Sequence, residues 1–146
     1  MKPLEPVVLE QVYAWLAGGD DDLRLASVGL TLTSGCPYPL IAYHAQQCAE
    51  KHLKALLVVH GIDFPFTHNL RRLIDLVPGE AAQRDELRIA EPLTPLGTTA
   101  RYPGAHEPVS RAEAEEALVL AQQLRTRVRE RLRIEFSGAL AVDLDT

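Results

Sequence analysis

The segment from Ile41 to Leu56 divides into two faces of different chemistry when it is placed on a helix of 3.6 residues per turn. One face is an apolar stripe made of Ile41, Ala45, Ala49, His52 and Leu56. The opposite face is polar and consists of Tyr43, Gln46, Gln47, Glu50, Lys51 and Lys54. The pattern predicts a helix over residues 39–60 that packs its apolar stripe into a core. Gly61 is a fitting residue to end it.

Helical spacing of apolar residues also runs through residues 6–31, where Val12, Leu16 and Ala26 recur at suitable intervals. The pair Gly18-Gly19 interrupts this stretch, and each glycine lowers the stability of a helix by about 1 kcal/mol relative to alanine. We therefore expect either one long helix with a weak point or two coaxial helices.

The middle of the chain predicts shorter helices. Thr67 is the expected N-cap of a third helix over residues 68–77. A fourth is expected over residues 80–91, ended by Pro92, with Ala82, Leu87 and Ala90 facing inward. A further short helix is expected within residues 93–100, because a long connection without structure is uncommon in a compact domain.

The last helix starts at a capping box, in which Ser110 and Glu113 satisfy each other's backbone N–H groups. Its expected inward residues are Ala114, Ala117, Leu118, Ala121, Leu124, Val128 and Leu132. No segment has the pattern of a strand. The sequence predicts an all-α, up-and-down bundle of four to five helices, forming one domain over residues 1–137 with a flexible tail over residues 138–146.

Charge and composition restrict the function. The net charge is −5 over 146 residues, whereas proteins that bind duplex nucleic acid over a large surface are usually basic. A small site for one or a few phosphates stays open. Cys36 and Cys48 lack metal-ligand spacing, so we expect no metal and no cofactor. The longest aliphatic run is too short for a bilayer and the start lacks a signal pattern, which favours a cytoplasmic protein without a membrane contact.

Three motifs occur in order along the chain: Gln46-Gln47-x-x-Glu50-Lys51, then Thr67-His68, then Arg101-Tyr102-Pro103. Together they resemble HEPN domains, over residues 15–132. These are small helical bundles found beside nucleotidyltransferases and in RNA-cleaving toxins. The resemblance implies a homodimer with the second helix near the subunit contact, and a minimal nucleotidyltransferase as partner.

The resemblance also implies a polar groove that accepts a nucleotide or an RNA backbone. Its expected lining residues are Gln47, Glu50, Lys51, Lys54, His68, Arg101 and Tyr102. Other interpretations stay open from the residues alone. The polar face of the second helix can be a solvated surface, and His52 on the apolar stripe can be either a hydrogen-bonded core residue or a functional one.

Arg101 and His106 are the candidate catalytic pair, because HEPN ribonucleases carry an Arg followed after four to six residues by a His. A His can transfer the proton of the 2′-OH or of the leaving oxygen, and an Arg can hold the phosphate. Pro103 and Gly104 predict a turn instead of the usual helix, and Arg101-Tyr102-Pro103 matches the HEPN branch without demonstrated cleavage.

Two functional hypotheses follow from these motifs, beside a structural one, a helical dimer without a ligand in which the polar groups satisfy each other. The first is a dimerising HEPN protein that partners a nucleotidyltransferase and lacks robust catalysis. The second is a metal-independent ribonuclease toxin of a toxin–antitoxin pair, acting through Arg101 and His106.

Five arginines alternate along the last helix, namely Arg125, Arg127, Arg129, Arg131 and Arg133. Their alternate spacing divides them between two faces of the helix. We expect solvated charge from them rather than a contact with RNA.

Overall fold

The computed structural model describes residues 3–99 and 108–140. Its elements are α1 (Pro6–Gly29), α2 (Tyr38–Val59), α3 (Leu70–Leu76), α4 (Ala81–Asp85), a 3₁₀-helix (Arg88–Leu93), α5 (Leu96–Thr99) and α6 (Arg111–Glu135). Within these residues no strand forms beyond an isolated bridge between Ser137 and Leu140. The prediction of an all-α bundle is confirmed. In the same part of the chain, no helix is long and apolar enough to cross a membrane.

Helix α1 is continuous through Gly18 and Gly19, so the alternative of two coaxial helices is wrong. It runs antiparallel to α2, since Gly29 meets Ile41 at one end while Trp15 lies against Lys54 towards the other. A Cβ atom at Gly19 would lie 2.6 Å from Nδ1 of His52. The glycine lets the two helices approach closely there, and their packing offsets the lower helix propensity.

The two adjacent glycines are expected to respond oppositely to alanine. A Cβ atom at Gly18 would meet only the flexible side chain of Lys51, at 3.4 Å, so Gly18→Ala should stabilise the protein by up to about 1 kcal/mol. Gly19→Ala should instead destabilise it by about 1–3 kcal/mol, because the buried His52 ring has no room to move. Urea denaturation of both variants measures the difference. Equal effects at the two positions would contradict the close approach of α1 and α2.

Helix α2 is the centre of the bundle and is buried on nearly every side. Its polar residues Gln46, Gln47, Glu50 and Lys54 are all buried, which makes the solvated-face interpretation wrong for them. α5 covers this side so closely that a Cβ atom at Gly97 would lie 2.5 Å from Cδ of Gln46. The loop before α3 reaches Glu50 through His68, and the rings of Trp15 on α1 and of Phe64 lie against Lys54.

Helix α6 confirms its predicted start and its predicted core face. The Ser110 hydroxyl accepts a hydrogen bond from the backbone N–H of Glu113 at 3.1 Å, and the Glu113 carboxylate accepts one from the Ser110 N–H. All seven expected inward residues are buried. Leu140 is also buried, so packed chain extends beyond the predicted boundary at residue 137. The rest of the predicted tail, residues 141–146, lies outside the described residues.

The third helix begins later than predicted, at Leu70. Its N-cap is Asn69, whose side chain accepts from the backbone N–H of Arg72 at 3.4 Å. Thr67 was the wrong cap, because its hydroxyl accepts from the N–H of Asn69 and so closes a turn before the helix.

The predicted fourth helix is divided into α4 and the 3₁₀-helix, which includes Pro92. Leu87, Ala90 and Leu93 are all buried, and they recur at every third residue. A 3₁₀-helix has three residues per turn and aligns such positions, which an α-helix would spread around its axis. Ala82 is exposed, so its predicted inward position was wrong.

Candidate functional site

Glu50 lies at the centre of a buried polar network and is only 3% exposed. Lys54 Nζ donates to Glu50 Oε2 at 3.1 Å, and Gln46 Nε2 donates to Oε1 at 3.2 Å. Nδ1 of His68 lies 2.8 Å from the same Oε1 atom. The buried carboxylate therefore has an opposite charge and two further polar partners, which offset the large cost of removing a charge from water.

Neighbouring groups hold this network in one arrangement. Gln46 accepts from Gln47 Nε2 at 2.8 Å and donates to the backbone carbonyl of His68 at 3.2 Å. The Lys54 ammonium lies 5.2 Å from the centroid of the Trp15 ring and 5.6 Å from that of Phe64. We call the set Gln46, Gln47, Glu50, Lys54 and His68 the Glu50 network. Of its members, only His68 has substantial access to solvent.

Lys51 belongs to a different arrangement. Its Nζ donates to Asp22 Oδ2 at 2.6 Å, and the other oxygen of Asp22 lies 2.8 Å from Nδ1 of His44. The predicted groove residues on α2 are therefore divided between two carboxylates, one on α2 itself and one on α1.

His52 is fully buried beneath α1. Its Nδ1 lies 2.8 Å from the carbonyl oxygen of Cys48, as expected for an N–H donor. Burial lowers the pKa of His52 to about 4, so the ring is neutral at pH 7. Nε2 lies 3.6 Å from Asp20 and makes no hydrogen bond with the described residues. The structure supports the hydrogen-bonded core interpretation of this residue.

Asp20 is shared by two arginines of α6. Arg125 Nε donates to Asp20 Oδ1 at 2.7 Å, and Arg129 Nη2 donates to Oδ2. These arginine side chains are 13% and 7% exposed, and that of Arg131, which pairs with Glu135, is 14% exposed, so the expectation of solvated charge was wrong for all three. Asp20, Arg125 and Arg129 form what we call the Asp20 cluster, which no pattern in the sequence had indicated.

Arg101, Tyr102 and His106 lie outside the described residues. The catalytic role of Arg101 and His106 stays a prediction, as does the place of Arg101 and Tyr102 in the polar groove. Within residues 3–99 and 108–140, no group of three or more His, Cys, Asp or Glu side chains is placed to hold a metal ion.

An apolar groove of about 290 Å³ lies where the end of α1 meets the beginning of α2. Four exposed aliphatic side chains surround it, and we call them the apolar face: Leu25, Val28, Leu32 and Leu40. Each is at least 50% exposed. A contiguous patch of this kind commonly marks a contact with another protein.

The HEPN domain family matches this sequence over residues 12–131. The chain belongs to the HEPN domain family. Two solved structures are similar to this chain in fold. TT1696 from Thermus thermophilus is 30% identical with a TM-score of 0.67, and the match covers 84% of this chain and 98% of that one. ST0689, described as an archaeal HEPN homologue, is 26% identical with a TM-score of 0.62, covering 90% and 99%. None of the proteins with curated functions matches this HEPN chain.

Proposed function

We propose that this HEPN protein forms a homodimer, binds a minimal nucleotidyltransferase as its partner and holds a nucleotide beside the Glu50 network, without robust catalysis of its own. The apolar face is the observation that carries the dimer, because contiguous exposed aliphatic side chains commonly mark a protein contact. Membership of the HEPN family supplies the classes of partner and ligand.

The apolar face suits a two-fold contact. Burial of aliphatic surface contributes about 25 cal/mol per Å², and a two-fold contact lets one patch cover its own copy. Asp21 and Arg24 lie beside it on α1, with side chains that are 76% and 70% exposed. Arg24 donates to Asp21 within the chain at 3.1 Å, so this pair leaves no uncompensated charge beside the apolar face. Leu40 brings α2 to the same contact, as the family resemblance implies.

The charges argue against robust phosphate chemistry on the described part of α2 and α6. The cations Lys51, Lys54 and Arg125 each donate to a carboxylate. A cation that is already paired in this way stabilises a developing phosphate charge less than an available one. A ligand would contact the Glu50 network at His68, because His68 is its most exposed member.

Leu40→Asp tests the dimer, and Ile134→Asp is its matched control at an exposed aliphatic side chain on α6. The wild type and the control are expected to have the mass of a dimer in light scattering after gel filtration. Leu40→Asp is expected to have the mass of a monomer, because a charge would be buried without a partner. A dimeric Leu40→Asp variant would exclude this surface, and a monomeric wild type would exclude the dimer.

Co-expression with a minimal nucleotidyltransferase tests the partner by co-purification.

The spacing of Arg101 and His106 supports the second candidate function, a ribonuclease toxin. Growth arrest on expression that His106→Ala abolishes would favour that candidate and contradict the non-catalytic proposal.

A further inference from the structure

Phe66 is the most exposed large apolar side chain in the described part of the chain, at 93%. It lies in the connection between α2 and α3. The surrounding connection is anchored, because the Thr67 hydroxyl accepts from the Asn69 N–H and Asn69 caps α3. An aromatic ring is thus presented to solvent on an ordered loop.

The ring of His68 stands beside that of Phe66 and is fixed from inside the protein. The two ring centroids are 5.5 Å apart, with the planes at 71°. Glu50 holds Nδ1 of His68, and Gln46 donates to its backbone carbonyl. Because the carboxylate accepts from Nδ1, the second ring nitrogen, Nε2, is an acceptor in the neutral ring. Nε2 makes no hydrogen bond with residues 3–99 or 108–140.

Two exposed guanidinium groups follow on the first turn of α3. Arg71 and Arg72 form no ion pair with a carboxylate of the described residues, in contrast to Arg88, which binds three. Residues 66–72 therefore combine an exposed aromatic face, an oriented imidazole and two cations.

We propose that Phe66, His68, Arg71 and Arg72 form a binding site for a nucleotide. The base stacks on the outer face of Phe66, and His68 Nε2 accepts a hydrogen bond from a ribose hydroxyl or a base amino group. The guanidinium groups of Arg71 and Arg72 bind the phosphates. The site deepens the proposed function and rests on its nucleotide-binding part, since it identifies where and how the nucleotide is held.

The surroundings of Phe66 favour a nucleotide over a protein partner. Aromatic anchors of protein interfaces usually lie in well-packed apolar surroundings, whereas Phe66 is 93% exposed and its ring contacts that of the partly exposed His68. The apolar face lies on α1 and the beginning of α2, and no residue of this loop lines its groove. The net charge of −5 disfavours a long nucleic acid, so a ligand with few phosphates fits best.

Calorimetric titration of the full-length protein with AMP, ATP and a short oligoribonucleotide tests the site. Phe66→Ala is expected to weaken binding of AMP and ATP about tenfold or more, and Phe66→Tyr to retain it. Arg71→Ala/Arg72→Ala should weaken ATP more than AMP, because ATP has more phosphates. Ile134→Ala, at an exposed aliphatic residue on α6, is the control, and circular dichroism verifies that each variant is folded.

The outcomes separate the site from the proposed function. Nucleotide binding that Phe66→Ala leaves unchanged would overturn the site but not the proposed function. A wild type that binds none of the three ligands would overturn the site and the nucleotide part of the function, while the dimer and the partner are tested independently. If the Phe66→Ala variant no longer binds the nucleotidyltransferase but still binds nucleotide, Phe66 belongs to a protein contact and the proposal is overturned. Tighter binding of the oligoribonucleotide than of AMP and ATP would contradict a ligand with few phosphates and overturn the proposed mononucleotide site.

Discussion

Glu50→Ala is expected to lower the free energy of unfolding by about 3–5 kcal/mol, the usual effect of breaking a buried ion pair from one side. The substitution leaves the Lys54 ammonium enclosed between Trp15 and Phe64 without its carboxylate. It also removes the acceptor that orients the ring of His68. Chemical denaturation followed by circular dichroism measures the change.

A matched control separates the buried network from an ordinary surface pair. Glu115 forms an exposed i,i+4 pair with Arg111, and Glu115→Ala should have little effect because solvent screens such pairs. The double variant Glu50→Ala/Lys54→Met should recover much of the lost stability, since no charge is then buried alone. A Glu50→Ala variant as stable as Glu115→Ala would show that the Glu50 network does not stabilise the fold.

Asp20→Ala is expected to have an effect of similar size, about 3–5 kcal/mol, because it leaves two largely buried guanidinium groups without their shared carboxylate. It also places the cations Arg125 and Arg129 against the neutral ring of His52 with no negative charge between them. Domains of this size are stable by about 5–15 kcal/mol, so the loss is a large share of the total. Thermal and urea denaturation measure it.

The next residue along α1 provides the control. Asp21 pairs with Arg24 on the exposed side of the helix, and Asp21→Ala should change stability little. Asp20→Asn keeps the shape of the side chain and should fall between the two. Equal effects of Asp20→Ala and Asp21→Ala would mean that the ion pairs between α1 and α6 contribute nothing measurable.

The long helices could be predicted because their signals are local. In α6, the capping box and the spacing of seven apolar residues lie within the segment itself, and both were confirmed. Gly61 has a φ of +71°, as expected for the residue that ends α2. The 3₁₀-helix could not be predicted, because the choice between three and 3.6 residues per turn depends on what Leu87, Ala90 and Leu93 contact.

The polar residues of the Glu50 network stand out in the sequence, but their burial does not. The motif around Glu50 identified the polar residues of α2, and the Glu50 network contains most of them. An amphipathic pattern records which side chains are polar and leaves open what covers them. Here α5 and the loop before α3 cover the polar side, so the expected surface became a buried network.

By itself, the sequence determined the family, the all-α architecture and the core faces of the long helices, since periodicity and capping act over a few residues. Only the tertiary structure decided which charges pair. Asp20, Asp21 and Asp22 are adjacent, yet they bind arginines of α6, an exposed arginine of α1, and a lysine and a histidine of α2, respectively. Their assignment depends on the rotation of α1 and on its close approach to α2 at Gly19. That rotation results from packing along the whole helix rather than from any local signal.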